Sequence, residues 1–161
     1  MEEINITNAM LLRARSRAAK MPKLKNSIRH QRGKLVGLLG EEIVKKFFNV
    51  PVKQDEAGYE FDIVSPDGLR LEVKTKERSV VPKLNYECSV ARYNDKQDCD
   101  LYVFVSVLND YSKGWVCGWL SPKSFKRKST KFKKGDKDPS NNFTFRADCR
   151  NIKISDLDCD L

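Results

Sequence analysis

Residues 100–108, DLYVFVSVL, set the first constraint on the fold. After Asp100 only Ser106 interrupts an apolar run rich in valine and aromatic residues. Such a run suits a strand buried on both faces, and a doubly buried strand needs a packed layer on each side. Residues 114–120, GWVCGWL, read as a second strand. Residues 36–48 supply one covering layer: Val36, Leu39, Gly40, Ile43, Val44 and Phe47 fall on one side of a helical wheel, and Pro51 stops the helix. Gly37 and Gly40 allow close approach to a neighbour. Glu41 lies at the edge of that apolar side, while Glu42 is expected in solvent with Lys45 and Lys46.

The other signals are shorter. Residues 7–20 can form a helix capped by Thr7 or Asn8; its arginines alternate with small residues, as in an exposed basic helix or arm. Residues 21–33 read as a linker and 86–99 as a short strand or helix. Ser121-Pro122 opens a short helix at 122–127. Residues 129–142 read as a basic polar loop, and 143–145 and 151–154 as short strands. A chain of 161 residues suggests one domain: a basic arm at 1–34, then a single α/β domain at 35–161 with helices flanking a small central sheet. No apolar run is long enough for a membrane span. The start, Met-Glu-Glu, lacks a signal pattern, so a cytoplasmic protein is expected. The five cysteines form no CxxC pair and read as reduced thiols rather than a zinc site.

The formal charge of +9 is unevenly spread. Residues 4–40 hold no Asp or Glu but nine basic side chains: Arg13, Arg15, Arg17, Lys20, Lys23, Lys25, Arg29, Arg32 and Lys34. A second run, KSFKRKSTKFKK at 123–134, contains Lys123, Lys126, Arg127 and Lys128 and interleaves Phe125 and Phe132. Two basic segments point to a polyanionic partner, nucleic acid first and an anionic membrane surface second.

The hairpin FDIVSPDGLRLEVKTK, residues 61–76, carries the chemistry. Ser65-Pro66-Asp67-Gly68 suits a type I turn closed by a left-handed glycine. That turn pairs Val64 with Arg70, Ile63 with Leu71 and Asp62 with Glu72. Phe61, Ile63, Leu69, Leu71, Val73 and Thr75 then share the core face, and Asp62, Arg70, Glu72, Lys74 and Lys76 share the other. Two carboxylates about 5 Å apart repel, share a proton, or hold a cation. Oxygen ligands favour a hard ion such as Mg²⁺, and a lysine alongside can orient water or stabilise charge on phosphate. The alternative is a polar outer face whose Arg70, Lys74 and Lys76 pair locally with the two acids. The Glu72-Val73-Lys74 triplet decides nothing alone, because chance supplies such triplets in a chain this charged. Its context gives it weight: an aspartate opposite, a Gly-x-x-Gly-Glu helix before it and a buried strand after it.

In that order, Gly37-x-x-Gly40-Glu41, Asp62 and Glu72-Val73-Lys74, the chain resembles the PD-(D/E)xK nuclease superfamily over residues 33–120. Phe61 stands where the family's variable proline would be. The resemblance implies a restriction-endonuclease-like core, a mixed four-stranded sheet flanked by helices. It implies Mg²⁺ or Mn²⁺ held by Asp62, Glu72, the Val73 carbonyl and Glu41, with Lys74 positioning the attacking water. It implies a DNA endonuclease of resolvase or phage type, acting on DNA as a homodimer. Gln97 falls where some relatives place an active-site glutamine, and Lys76 would contact phosphate. The basic residues of 13–34 and of 123–128 would track the backbone. A non-catalytic nucleic-acid-binding protein of the same fold is the alternative.

Overall fold

A computed structural model of the chain describes residues 1–21, 30–51, 61–91, 98–139 and 142–159, without the side chains of 30–32. Among these, three helices and two sheets form a mixed α/β arrangement. The elements run β1 (Glu2–Asn5), α1 (Asn8–Lys20), α2 (His30–Phe47), β2 (Ile63–Val64), β3 (Arg70–Arg78) and β4 (Glu87–Ala91), then β5 (Leu101–Leu108), β6 (Lys113–Leu120), α3 (Pro122–Lys128), β7 (Thr130–Phe132) and β8 (Cys149–Lys153). The first sheet has the order β1-β6-β5-β3-β2; β3 and β5 are parallel and the other pairs antiparallel. The second sheet has the order β4-β8-β7.

The run at 101–108 explains the layering. One face of β5 contributes Val103, Val105 and Val107 to a core shared with Leu39, Ile43 and Val44 of α2 and Met10 and Ala14 of α1. The other face contributes Tyr102 and Phe104 to a second core with Cys88, Val90, Ile152 and Phe125. Helices therefore cover one face of the first sheet, and the second sheet with α3 covers the other. Ser121 caps α3 through the Ser124 N–H, and Phe125 seats the helix between Tyr102 and Phe104. Burying that ring contributes about 2–3 kcal/mol.

Several expectations need correction. The central sheet has five strands rather than four, because Glu2–Asn5 pairs with β6 along its outer edge. Helix α1 is capped by Thr7 as expected, but it is not an exposed arm: Met10 and Ala14 are buried against α2. Its docking also covers the side of α2 expected to face water. Glu42 is only 3% exposed and Lys45 is buried, while Lys46 remains exposed. The loop expected at 129–142 contains β7, and the strand expected at 143–145 makes only the bridge from Thr144 to Lys137. Phe61 packs with the second core, not with Ile63 in the first.

Candidate active site

The hairpin turn forms as its residues dictate. Gly68 adopts φ +85° and donates its N–H to the Ser65 carbonyl at 2.9 Å. Val64 pairs with Arg70 and Ile63 with Leu71. The ladder then stops, and Asp62 sits at a bend instead of pairing squarely with Glu72. Its backbone N–H donates to the Leu71 carbonyl at 3.0 Å. Its Oδ2 accepts the Val73 N–H at 2.8 Å. In a β-strand the N–H and C=O of one residue face the same neighbour, so the Val73 carbonyl lies on the Asp62 side too.

The face holding Glu72 is not an outer face. Glu72 is 5% exposed and lies in register with Tyr102, a residue of the second core. Lys74 reaches back to Glu72, Nζ to Oε1 at 2.6 Å, and its ammonium lies 5.8 Å from the centre of the Tyr102 ring. Lys76, expected at phosphate, donates instead to the Glu87 carbonyl at 3.2 Å and so links the two sheets. Arg70 pairs with neither hairpin acid. Its guanidinium holds both oxygens of Asp100 at 3.0–3.1 Å and Asp98 at 2.7 Å, which pins the start of β3 to β5. This clamp keeps Asp100 below the usual carboxylate range. Only the parallel pairing of β3 with β5 brings Asp100 alongside Arg70, so the hairpin's own sequence carries no sign of the clamp.

Glu41 comes from the helix layer. Gly40 lies so close to β3 that a Cβ there would overlap the Thr75 side chain, which is why only glycine fits. Gly37, by contrast, has open space beside it and plays no such part. The close approach sets Glu41 beside the strand, where Arg17 of α1 pairs with it at 2.7 Å. One helical turn earlier, Arg13 pairs with the buried Glu42 at 2.6 Å.

Asp62 senses the other two carboxylates. Burial, then Glu72, then Glu41 push Asp62 up to about 7, against the pull of the Val73 N–H and Lys74. Burial also raises Glu41, opposed by Arg17. In donor type and charge the set suits a hard divalent ion, which would offset the burial of these acids. The side chains are not gathered for one, however. Among the described residues no three His, Cys, Asp or Glu side chains converge on an ion site. Glu41 is turned to Arg17 and Glu72 to Lys74, so an ion would have to displace both partners.

Of the basic residues assigned to DNA, Arg13 and Arg17 are engaged inside the fold, and Lys34 donates to the Met21 carbonyl at 3.4 Å. Arg15, Lys20, Lys123, Lys126, Arg127 and Lys128 are exposed, and Lys128 also pairs with Asp158 at 3.2 Å. Gln97, Lys23, Lys25, Arg29 and the Arg32 side chain lie outside the described residues. No helix among the described residues is long and apolar enough to cross a membrane. No protein family's sequence profile matches the chain, and no curated protein matches it either.

Proposed function

We propose that this chain is a Mg²⁺- or Mn²⁺-dependent DNA endonuclease of the PD-(D/E)xK kind, selective for branched DNA in the manner of Holliday junction resolvases. The observation that carries this reading is Asp62. A half-buried carboxyl held beside Glu72 and Glu41, with Lys74 at hand, is a costly arrangement that a divalent cation would relieve. Asp62, Glu72, Glu41 and the Val73 carbonyl would hold the ion, which supplies Lewis acidity at a phosphodiester and lowers the pKa of water. Asp62 is kept in place by the Val73 N–H, so its orientation is set before a ligand arrives. Lys74, released from Glu72, donates to the attacking water or to the phosphate oxygen gaining charge. Action as a homodimer, and a phage-encoded role in a host cytoplasm, belong to the same proposal.

A second reading, nucleic-acid binding without turnover, is favoured by the internal ion pairs of Glu41 and Glu72. Thermal unfolding at pH 8 with and without Mg²⁺ separates the two. The nuclease reading expects Mg²⁺ to raise the melting temperature of the wild type and not of Asp62→Ala, because a ligand of the folded state stabilises it. An equal response of both proteins to Mg²⁺ and to matched ionic strength supports binding alone.

A further inference from the structure

Residues 121–153 carry eleven Lys or Arg against three acids, Asp136, Asp138 and Asp148. Two of these acids turn toward backbone amides: Asp136 accepts the Lys133 N–H at 2.7 Å and Asp148 the Lys134 N–H at 2.9 Å. Asp138 is buried. The basic side chains Lys131, Lys133, Lys134 and Arg146 are left exposed. Within the second sheet Lys131 lies directly opposite Arg150. Arg150 turns its guanidinium to the Lys126 carbonyl at 3.2 Å and the Ser129 carbonyl at 3.5 Å, while Lys131 is exposed.

Aromatic rings sit among these charges. Phe132 of β7 stacks on Phe145, with ring centres 4.3 Å apart and planes 19° apart. Phe143 meets Phe145 edge-on at 5.6 Å and is 51% exposed. Phe132 and Lys131 point to opposite faces of β7, yet β7 is the edge of its sheet. Phe145 is buried and Phe132 half-buried, so of the three rings Phe143 is the one open to a polymer passing these cations. Every base has a π-face, so aromatic rings inside a basic groove bind unpaired bases with little sequence preference.

We infer that the β7 edge is a platform for single-stranded DNA, with an unpaired base stacking on Phe143 while Lys131, Lys133 and Arg146 take the flanking phosphates. This rests on the nucleic-acid half of the proposed function and not on catalysis. It adds to branched duplexes the DNA that carries an unpaired segment, as at a flap, fork or gap.

The test is fluorescence anisotropy in EDTA, so that cleavage plays no part. The probes are an oligodeoxythymidylate of roughly 16 nucleotides, the same strand with abasic residues, and a duplex of equal length. The wild type binds the base-bearing strand about ten-fold more tightly than the abasic strand. Phe143→Ala binds both strands with the weaker affinity, keeps its duplex affinity and unfolds at the wild-type temperature. Phe143→Trp restores the preference, and its emission is quenched when the strand binds. A Phe143→Ala protein that still prefers the base-bearing strand overturns the inference. So does one that loses strand and duplex binding in equal measure, or a change in self-association with no change in strand affinity. If the wild type binds the duplex alone, the platform falls and the proposed function stands. If it binds no DNA, both fall.

Discussion

Arg13 and Lys133 belong to the two basic segments of the chain, and the fold uses them in opposite ways. Arg13 is spent on a buried acid: Glu42 is 3% exposed and receives the guanidinium at 2.6 Å. Lys133 stands exposed beside an aromatic stack. Clustered charge in a sequence therefore marks two different things. On α1 part of it is internal pairing that holds a helix to its neighbour. On α3 and β7 it is a surface. Polyanion binding should follow the second segment more than the first.

Charge reversal breaks this comparison most sharply. Arg13→Glu would set a carboxylate against buried Glu42, and we expect a loss of about 3–5 kcal/mol in chemical denaturation. Lys133→Glu should stay within about 0.5 kcal/mol of wild type while weakening DNA binding. If both variants unfold alike, or both lose only DNA affinity, the two segments do not differ as described.

Asp62 gives the next largest effect. Its carboxyl ionises near 3.8 in the unfolded chain and is pushed up to about 7 by burial and its acidic neighbours. The folded state therefore holds the proton more tightly, and between these values stability falls as pH rises. Asp62→Asn should flatten that slope and stabilise the protein at pH 8 by an amount on the order of 3 kcal/mol. Little difference should remain at pH 4. Urea denaturation at both pH values measures this, and identical slopes for the two proteins would remove Asp62 from the account.

Gly40→Ala follows, at about 1–3 kcal/mol, because the new methyl meets Thr75 of β3. Gly37→Ala serves as its control, with open space beside it, and should be neutral or slightly stabilising. The smallest expected effect is that of Lys134→Ala. It should leave the melting temperature unchanged and lower the salt dependence of DNA binding by about one unit of slope. Arg17→Ala should leave that slope nearly unchanged, since Arg17 serves Glu41.

The hairpin was legible because its turn is local. Ser65-Pro66-Asp67-Gly68 sets the register over its first pairs, and Ile63 meets Leu71 as the turn chemistry requires. The apolar run at 101–108 announced a strand covered on both sides, and it lies at the centre of the first sheet. What covers each side was not legible. Glu2–Asn5 has no alternating pattern, and it becomes a strand only because β6 offers it an edge. Glu42 and Glu72 both look solvent-facing when their own helix and strand are considered alone. Glu42 meets Arg13 of α1, and Glu72 lies beside Tyr102 of β5, each contact coming from an element distant in sequence. The grouping of Glu41, Asp62, Glu72 and Lys74 was readable from motif order. Lys74 as a local partner of Glu72 was readable as well, whereas the cation that Glu41 meets depends on tertiary packing, and Arg17 gave no sign of its role.

The most direct test is cleavage of a labelled four-way DNA junction by wild type, Asp62→Asn and Lys74→Ala, each first shown to be folded. The wild type should cut in Mg²⁺ and not in EDTA, with a rate loss on the order of 100-fold or more in either variant. Cutting by Lys74→Ala at the wild-type rate, or cutting by the wild type in EDTA, would contradict the nuclease reading.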